Sequence, residues 1–513
     1  MGGRDLGKSR TKNVSINSVV ALVCQVLNLL LSFVTRTIFI RLLGVEYLGV
    51  NGLFTNILTI LSFAELGIGN AIVFNMYKPL ACGDTEKIKS LMQLYKKTYT
   101  VIGCIVAGAG VIVTPFLQYI IKNKPDISEN ITLLYLLFLA NTATSYFFIY
   151  KKNILIADQK SYITLIVTQC VLILKTILQT AFLYLTHDFI IYLIIQIICT
   201  LLENIVCSFV ADKQYPYLKE KAYPLERQET KRIFTDVKAL ALYKFGSVIL
   251  NGTDNILVSM FVGVKEVGLV SNYVLLTTSC NSILQRITEA FTASVGNLNA
   301  SEDSKKQYDV FKKIFFITAW IYGFASVGLA VVAQYFIEAW LGSNYLLGNV
   351  FVLAVVTEFY VKGVHSVSTT YRSTLGFFVE GKWSALLAAF LNLVLSIILC
   401  KTIGLTGIFI ATPIARILSV GIVDPVLVFH KGFKKNVSEY YMRYVLYLAV
   451  FIILGIVCSI ILAYISVSGW GGVLIKVIVI TIVFNISMVI IFHRSKMFKE
   501  LCTMAKGLIR KSK

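Results

Sequence analysis

Apolar runs of 18 or more residues recur along the whole chain, and they constrain it more than any other feature. As a helix, a run of that length crosses a hydrocarbon core of roughly 30 Å. In lipid every backbone amide must find its partner within the spanning structure, so a crossing segment is a helix or part of a closed barrel. Barrel strands would alternate in polarity over about ten residues, whereas these runs are continuously apolar. Composition agrees: of 513 residues, 57% are hydrophobic and 15% charged, against about 25% charged in soluble domains. The reading is an all-α polytopic membrane protein. A window of about 19 residues predicts about fourteen transmembrane helices, near 15–40, 48–75, 97–121, 131–150, 161–185, 189–211, 237–262, 267–293, 314–338, 348–371, 383–400, 405–429, 442–464 and 470–492.

The net charge of +21 would suggest nucleic acid in a soluble protein, but its distribution gives another explanation. The N-terminal arm, the connections at 76–97, 151–160, 212–238, 294–313, 372–382 and 430–443, and the tail from Arg494 carry 36 of the 48 Lys and Arg residues. The alternate connections carry Arg41, Lys122, Lys124, Lys265 and Lys401. By the positive-inside rule both termini are cytoplasmic and the number of spans is even. The arm (Arg4, Lys8, Arg10, Lys12) precedes an apolar run too long for a signal-peptide core and lacks a small-residue cleavage site, so the first helix is read as retained. Eight of the ten cysteines fall inside apolar runs and none forms a CxxC pair, which fits buried structural thiols.

The chain also repeats. "RTIFIRLLGVEYLGV" (36–50) aligns with "DNILVSMFVGVKEVGLV" (254–270), matching Gly44 to Gly263 and Gly49 to Gly268. "TEKIKSLMQLYKKTYTVIG" (85–103) resembles "SEDSKKQYDVFKKIFFITAW" (301–320), and "YKKNILIADQKSY" (150–162) faces "YRSTLGFFVEGKWS" (371–384). The offset amounts to six spans. Helices 1–6 therefore correspond to helices 7–12 in the same orientation, related by an axis along the membrane normal. The expected organisation is an N-lobe over 1–212, a cytoplasmic linker over 213–236, a parallel C-lobe over 237–430, and helices 13 and 14 with a basic tail over 431–513. Rocking of one six-helix lobe against the other would give alternating access.

A charge at the bilayer centre costs at least about 2.5–3.5 kcal/mol on insertion scales, so intramembrane charges normally face protein or a wet cavity. The cations so placed are Arg36, Lys175, Lys244, Arg286, Lys362 and Arg416, and the acids are Glu65, Glu203, Asp254, Glu289, Glu358 and Asp424. Those near span ends can also snorkel to the headgroups. Glu358 with Lys362 (i, i+4) and Arg286 with Glu289 (i, i+3) are spaced for same-face ion pairs. Glu65 has no cation within one helical turn, which predicts an interhelical partner or a protonatable role. His365, one turn beyond Lys362, is a candidate proton relay or interhelical hydrogen-bonding residue. No metal-spaced His/Cys cluster, phosphate-cradling GxxxxGK[ST] loop or large soluble domain is evident, so neither an enzyme nor an ATP-driven pump is expected.

The Arg-containing first helix ending in "RLLGVEYLGV", the "AELGIGNAI" of the second, the "KKTY" entry to the third and the second copy of the unit near residue 240 resemble oligosaccharide-lipid flippases. These are the polysaccharide-export members (O-antigen and capsule type) of the multidrug/oligosaccharidyl-lipid/polysaccharide (MOP) exporter superfamily. The resemblance implies a V-shaped pair of lobes around a cationic cavity in a bacterial cytoplasmic membrane. It implies flipping of undecaprenyl-pyrophosphate-linked sugars coupled to a proton or sodium gradient, with no other cofactor. A polymerase and glycosyltransferases are the implied partners. Arginines of helices 1 and 8 contribute to the cavity in that branch, and Arg36 and Arg286 occupy similar helices; in the lipid II flippases the extra helix pair helps form a groove for the lipid tail, and the resemblance implies the same for helices 13 and 14. Physically, a pyrophosphate carries about two negative charges that fixed Arg and Lys groups in a low-dielectric cleft stabilise. A multidrug or metabolite exporter of the same superfamily is the alternative; a scaffold or membrane transferase is a third.

Overall fold

The computed structural model describes the backbone of residues 2–65, 68–147, 149–301, 304–377 and 380–511. Side chains are described for all of these except 2–15, 64, 70, 236, 238–244, 247, 251, 289–301, 382 and 504–511. Among the described residues every regular element is helical: α1 (Gly2–Leu43), α2 (Val45–Leu61), α3 (Ile68–Cys82), α4 (Thr85–Val113), α5 (Leu117–Ile120), α6 (Ile131–Tyr146), α7 (Ile149–Ala157), α8 (Ser161–Thr186), α9 (Phe189–Gln214), α10 (Arg227–Gly252), α11 (Asp254–Phe261), α12 (Val264–Ser301), α13 (Ser304–Leu341), α14 (Asn349–Thr374), α15 (Lys382–Ile403), α16 (Leu405–Leu418), α17 (Val420–Leu427), α18 (Ser438–Ala463), α19 (Gly469–Phe492) and α20 (Lys496–Lys511).

Eleven helical runs among the described residues are long and apolar enough to cross a membrane, and twelve if the bent pair α6 and α7 is one span. The chain is a multi-pass membrane protein, and the expected fourteen is approximate. Several of the fourteen stretches are interrupted, two of them outside the eleven spans. The run at 48–75 breaks into α2, a 3-10 turn at Ser62–Glu65, and α3, and that at 237–262 breaks between α10 and α11 at Thr253. Polar residues at both breaks draw the backbone out of the continuous apolar pattern on which span counting relies. Elsewhere the sequence sets helix starts locally: Asp84, Asn130 and Asp188 accept backbone N–H bonds at the first turns of α4, α6 and α9. Outward faces stay apolar, as at Ile452, Ile456 and Ile460 of α18, which suits contact with lipid tails.

By compactness the chain divides into Met1–Gly268 and Leu269–Lys513. The first unit therefore includes α10 and α11, which pack on α2 and α3, although the repeat starts its second copy there. In this unit α1 lies along α8, α8 along α9, and α6 against α4 and α9. Its core gathers Ile72, Met76, Leu91, Tyr95, Tyr99, Ile154 and Ile233. The second unit packs α13 against α14, α18 and α19, and α14 against α16 and α17, around Phe311, Phe315, Tyr371, Phe429, Phe433 and Tyr440.

The duplicated corner has a specific packing consequence. Gly44, at φ +95°, turns the chain between α1 and α2, a conformation that suits glycine. Beyond it, Gly49 of α2 lies on the Val264 carbonyl, and Gly268 of α12 lies on the Val45 carbonyl, so a Cβ on either glycine would overlap backbone oxygen. The alignment that matches Gly49 to Gly268 also matches Val45 to Val264. Each copy thus supplies the glycine on which the other copy's backbone rests, a crossing open only to residues without side chains.

Candidate functional site

In the first unit α7 carries its polar residues toward α9. Lys151 pairs with Asp212 at 2.7 Å, and Lys152 pairs with Glu203 at 2.7 Å. Glu203 Oε1 also accepts from the Thr168 hydroxyl of α8 at 2.7 Å. Lys175, further along α8 and half-buried, makes no ion pair among the described residues. Arg36 is half-buried on α1 beside Tyr192 of α9. Glu65 ends the 3-10 turn and accepts from the Tyr99 hydroxyl at 3.0 Å; its interhelical partner is thus a phenol. Asp254 is half-buried at the start of α11. The side chain of Lys244 lies outside the described residues.

In the second unit Glu358 does not pair with Lys362 as its spacing suggested. Its Oε1 accepts from Arg416 Nε at 3.0 Å and Nη2 at 2.7 Å, joining α14 to α16. A two-point guanidinium contact between helices replaces the single local contact that Lys362 offered. Lys362 is exposed and makes no ion pair among the described residues. His365 is buried, with its ring 5.3 Å from that of Tyr444 on α18 and its edge against Gly421. Its Nδ1 finds no hydrogen-bond partner among the described residues. One and two turns further along α14, Thr369 donates to Asp424 Oδ2 at 2.8 Å and Arg372 Nε lies 3.2 Å from Asp424 Oδ1. Arg286 is exposed on α12, and the Glu289 side chain lies outside the described residues.

Sequence reasoning placed Lys151, Lys152 and Arg372 in loops. They lie on helices, because α7 and α14 continue past the point where hydropathy falls. The repeat carried a signal for them: Tyr150-Lys151 aligns with Tyr371-Arg372, and each cation meets an aspartate at the far end of the helix pair, Asp212 on α9 and Asp424 on α17. A second tie recurs beside the first. Asp158 accepts from the Tyr215 hydroxyl at 2.7 Å, and in the other copy Glu380 pairs with Lys431 at 3.1 Å. Burial raises the pKa of Tyr215 well above its ordinary value, and the Asp158 carboxylate adds to this, so the phenol keeps its proton and remains a donor. Lys476, absent from the candidates, is buried in α19, where it donates to the Ile465 and Val467 carbonyls.

Each unit thus holds paired charges that fasten helices and a span lysine with no ion pair among the described residues: Lys175 in the first, Lys362 in the second.

Solved structures share this all-helical architecture. A structure described as "Lipid II flippase MurJ, inward closed conformation" matches with a TM-score of 0.66 and 16% identity, over 93% of this chain and 98% of that one. An inward-facing multidrug resistance MATE family transporter of the MOP superfamily matches with a TM-score of 0.62 and 14% identity, over 79% and 96%. The chain shares its fold with these two structures. A family model described as polysaccharide biosynthesis protein matches residues 14–291, and the chain belongs to that family. No curated protein matches it in sequence.

Proposed function

We propose that the protein flips undecaprenyl-pyrophosphate-linked oligosaccharide repeat units across the bacterial cytoplasmic membrane, by alternating access, for cell-surface polysaccharide assembly. The observation that carries this reading is the polysaccharide biosynthesis family match across residues 14–291. Intramembrane cations on both units support it, and the likeness to a lipid II flippase suits a lipid-linked cargo. On this reading Arg36, Lys175, Lys244, Arg286, Lys362 and Arg416 meet the diphosphate, with guanidinium forks giving two-point contact and lysines giving mobile charge. Glu65, Glu203, Asp254, Glu289, Glu358 and His365 are the groups through which a proton or sodium ion would couple. Both termini face the cytoplasm, where the Lys and Arg distribution puts them. Glycosyltransferases and a polymerase would supply and consume the cargo.

The test is a vesicle assay with purified protein and a fluorescent lipid-linked oligosaccharide, scored by access of a membrane-impermeant quencher. Loss of quenching protection with active protein supports the reading; equal protection with and without protein would sink it. The likeness to a MATE transporter favours multidrug or metabolite export as a second reading. Dye efflux that disappears when Glu65 and Asp254 are both replaced would select that reading.

A further inference from the structure

A cleft beside α20 combines unpaired cations, docking to a transmembrane bundle and an adjoining apolar helix face. The chain leaves α19 at Phe492 and turns through His493–Ser495 into α20. Met497, Phe498 and Leu501 of α20 pack on the second unit's core, with the Phe498 ring stacked 5.9 Å from Trp320. Glu500 is fixed by Lys313 at 2.8 Å, and Lys313 holds the Glu500 carboxyl below its ordinary range. The Ser495 hydroxyl accepts from the Phe498 N–H at 3.2 Å. These contacts leave Arg494, Lys496 and Lys499 exposed around a cleft of about 660 Å³ that Lys313, Glu500 and Thr503 complete. Glu500 offsets Lys313, and the other three cations make no ion pair among the described residues. An adjoining cleft of about 320 Å³ adds Lys312 and Arg443, whose charges are taken by Asp309 and Glu439.

We infer that this cleft binds the phosphate headgroup of an anionic membrane phospholipid. Two observations select a lipid over a soluble anion. The cleft opens where a 24-residue apolar helix ends, which is the level of lipid phosphates when that helix spans. Ile482, Ile486 and Ile490 of α19 are all exposed and recur at one-turn spacing toward the cleft, forming a strip against which an acyl chain can lie. Headgroup charge meets Arg494, Lys496 and Lys499, none of them in an ion pair among the described residues, while the chain remains in hydrocarbon. The inference concerns a membrane phospholipid, and it stands whatever cargo the protein moves.

The experiment uses the full-length protein in nanodiscs or detergent and counts retained phosphatidylglycerol and phosphatidylcholine by native mass spectrometry. Each cation near an anionic surface contributes about a fivefold change in affinity. The triple variant Arg494→Gln, Lys496→Gln, Lys499→Gln should therefore weaken phosphatidylglycerol binding by about 100-fold. The charge-preserving variant Arg494→Lys, Lys496→Arg, Lys499→Arg should retain it, as should Lys265→Gln. In the unaltered protein, raised salt should weaken retention, phosphatidylglycerol should be preferred over phosphatidylcholine, and inorganic phosphate should not displace the lipid. Equal retention of the two lipids by the unaltered protein would overturn the proposal. So would displacement by phosphate, or a folded triple variant that binds like the parent.

Discussion

The two copies of the repeat fasten their helices with the same pair in different surroundings. In the first, Lys151 and Asp212 retain 20% and 21% of their side-chain exposure; in the second, Arg372 and Asp424 retain 3% and 1%. The second copy adds Thr369 to the aspartate and uses a guanidinium, whose weaker hydration suits a dry site. A further pair in each copy differs in place as well as in sign: Lys152 on α7 meets Glu203 on α9, whereas Glu358 on α14, which the repeat does not match to Lys152, meets Arg416 on α16. The position shared by Lys151 and Arg372 is therefore tied in both copies at very different burial, while the second pair of each copy falls at positions the repeat does not match. The glycine crossing did not diverge, because both copies are needed to build it.

The buried tie is the first place to break this comparison. Asp424→Ala leaves the Arg372 guanidinium buried without its carboxylate and should cost about 3–5 kcal/mol, read as loss of the folded fraction in a thermal melt. Asp212→Ala should cost about 1 kcal/mol or less. Equal costs would mean that burial does not distinguish the copies. Next come the glycines: Gly49→Val and Gly268→Val should each destabilise by about 3 kcal/mol, because backbone must move to admit the side chain. The two losses should match, and a tolerant Gly268→Val alone would show the crossing to be one-sided.

Smaller effects sharpen the functional contrast. Arg416→Ala and Lys362→Ala should reduce flipping in a complementation assay more than Lys265→Ala. Arg416→Ala should also lower expression because it strands Glu358, while Lys362→Ala, which breaks no ion pair among the described residues, should leave expression unchanged. Equal tolerance of all three would remove the second unit's cations from the transport site. At the lower end, Lys431→Ala removes an exposed pair with Glu380 and should shift the melt by less than about 0.5 kcal/mol.

Much of the helical architecture was legible because its signal is local in sequence. Apolar runs marked most spans, and the repeated corner marked Gly49 and Gly268 as equivalents. The interrupted runs at 48–75 and 237–262 were less legible, since hydropathy averages over the 3-10 turn at Ser62–Glu65 and the break at Thr253. Partners across helices were least legible. Glu358 had a suitable lysine four residues away, yet it pairs with an arginine 58 residues distant. Lys151 and Arg372 were assigned to loops because hydropathy falls before the helix does.

Composition and periodicity alone determined that this chain lies in a membrane as helices and that it contains a duplication. Lipid cannot satisfy an open backbone, and a repeated sequence presents repeated faces. Tertiary structure decided which charges neutralise one another, which lysines remain without a counter-ion among the described residues, and that two distant glycines meet. Those outcomes depend on how helices rotate and approach when they pack, and a linear spacing does not encode the angle between two helices far apart in the chain.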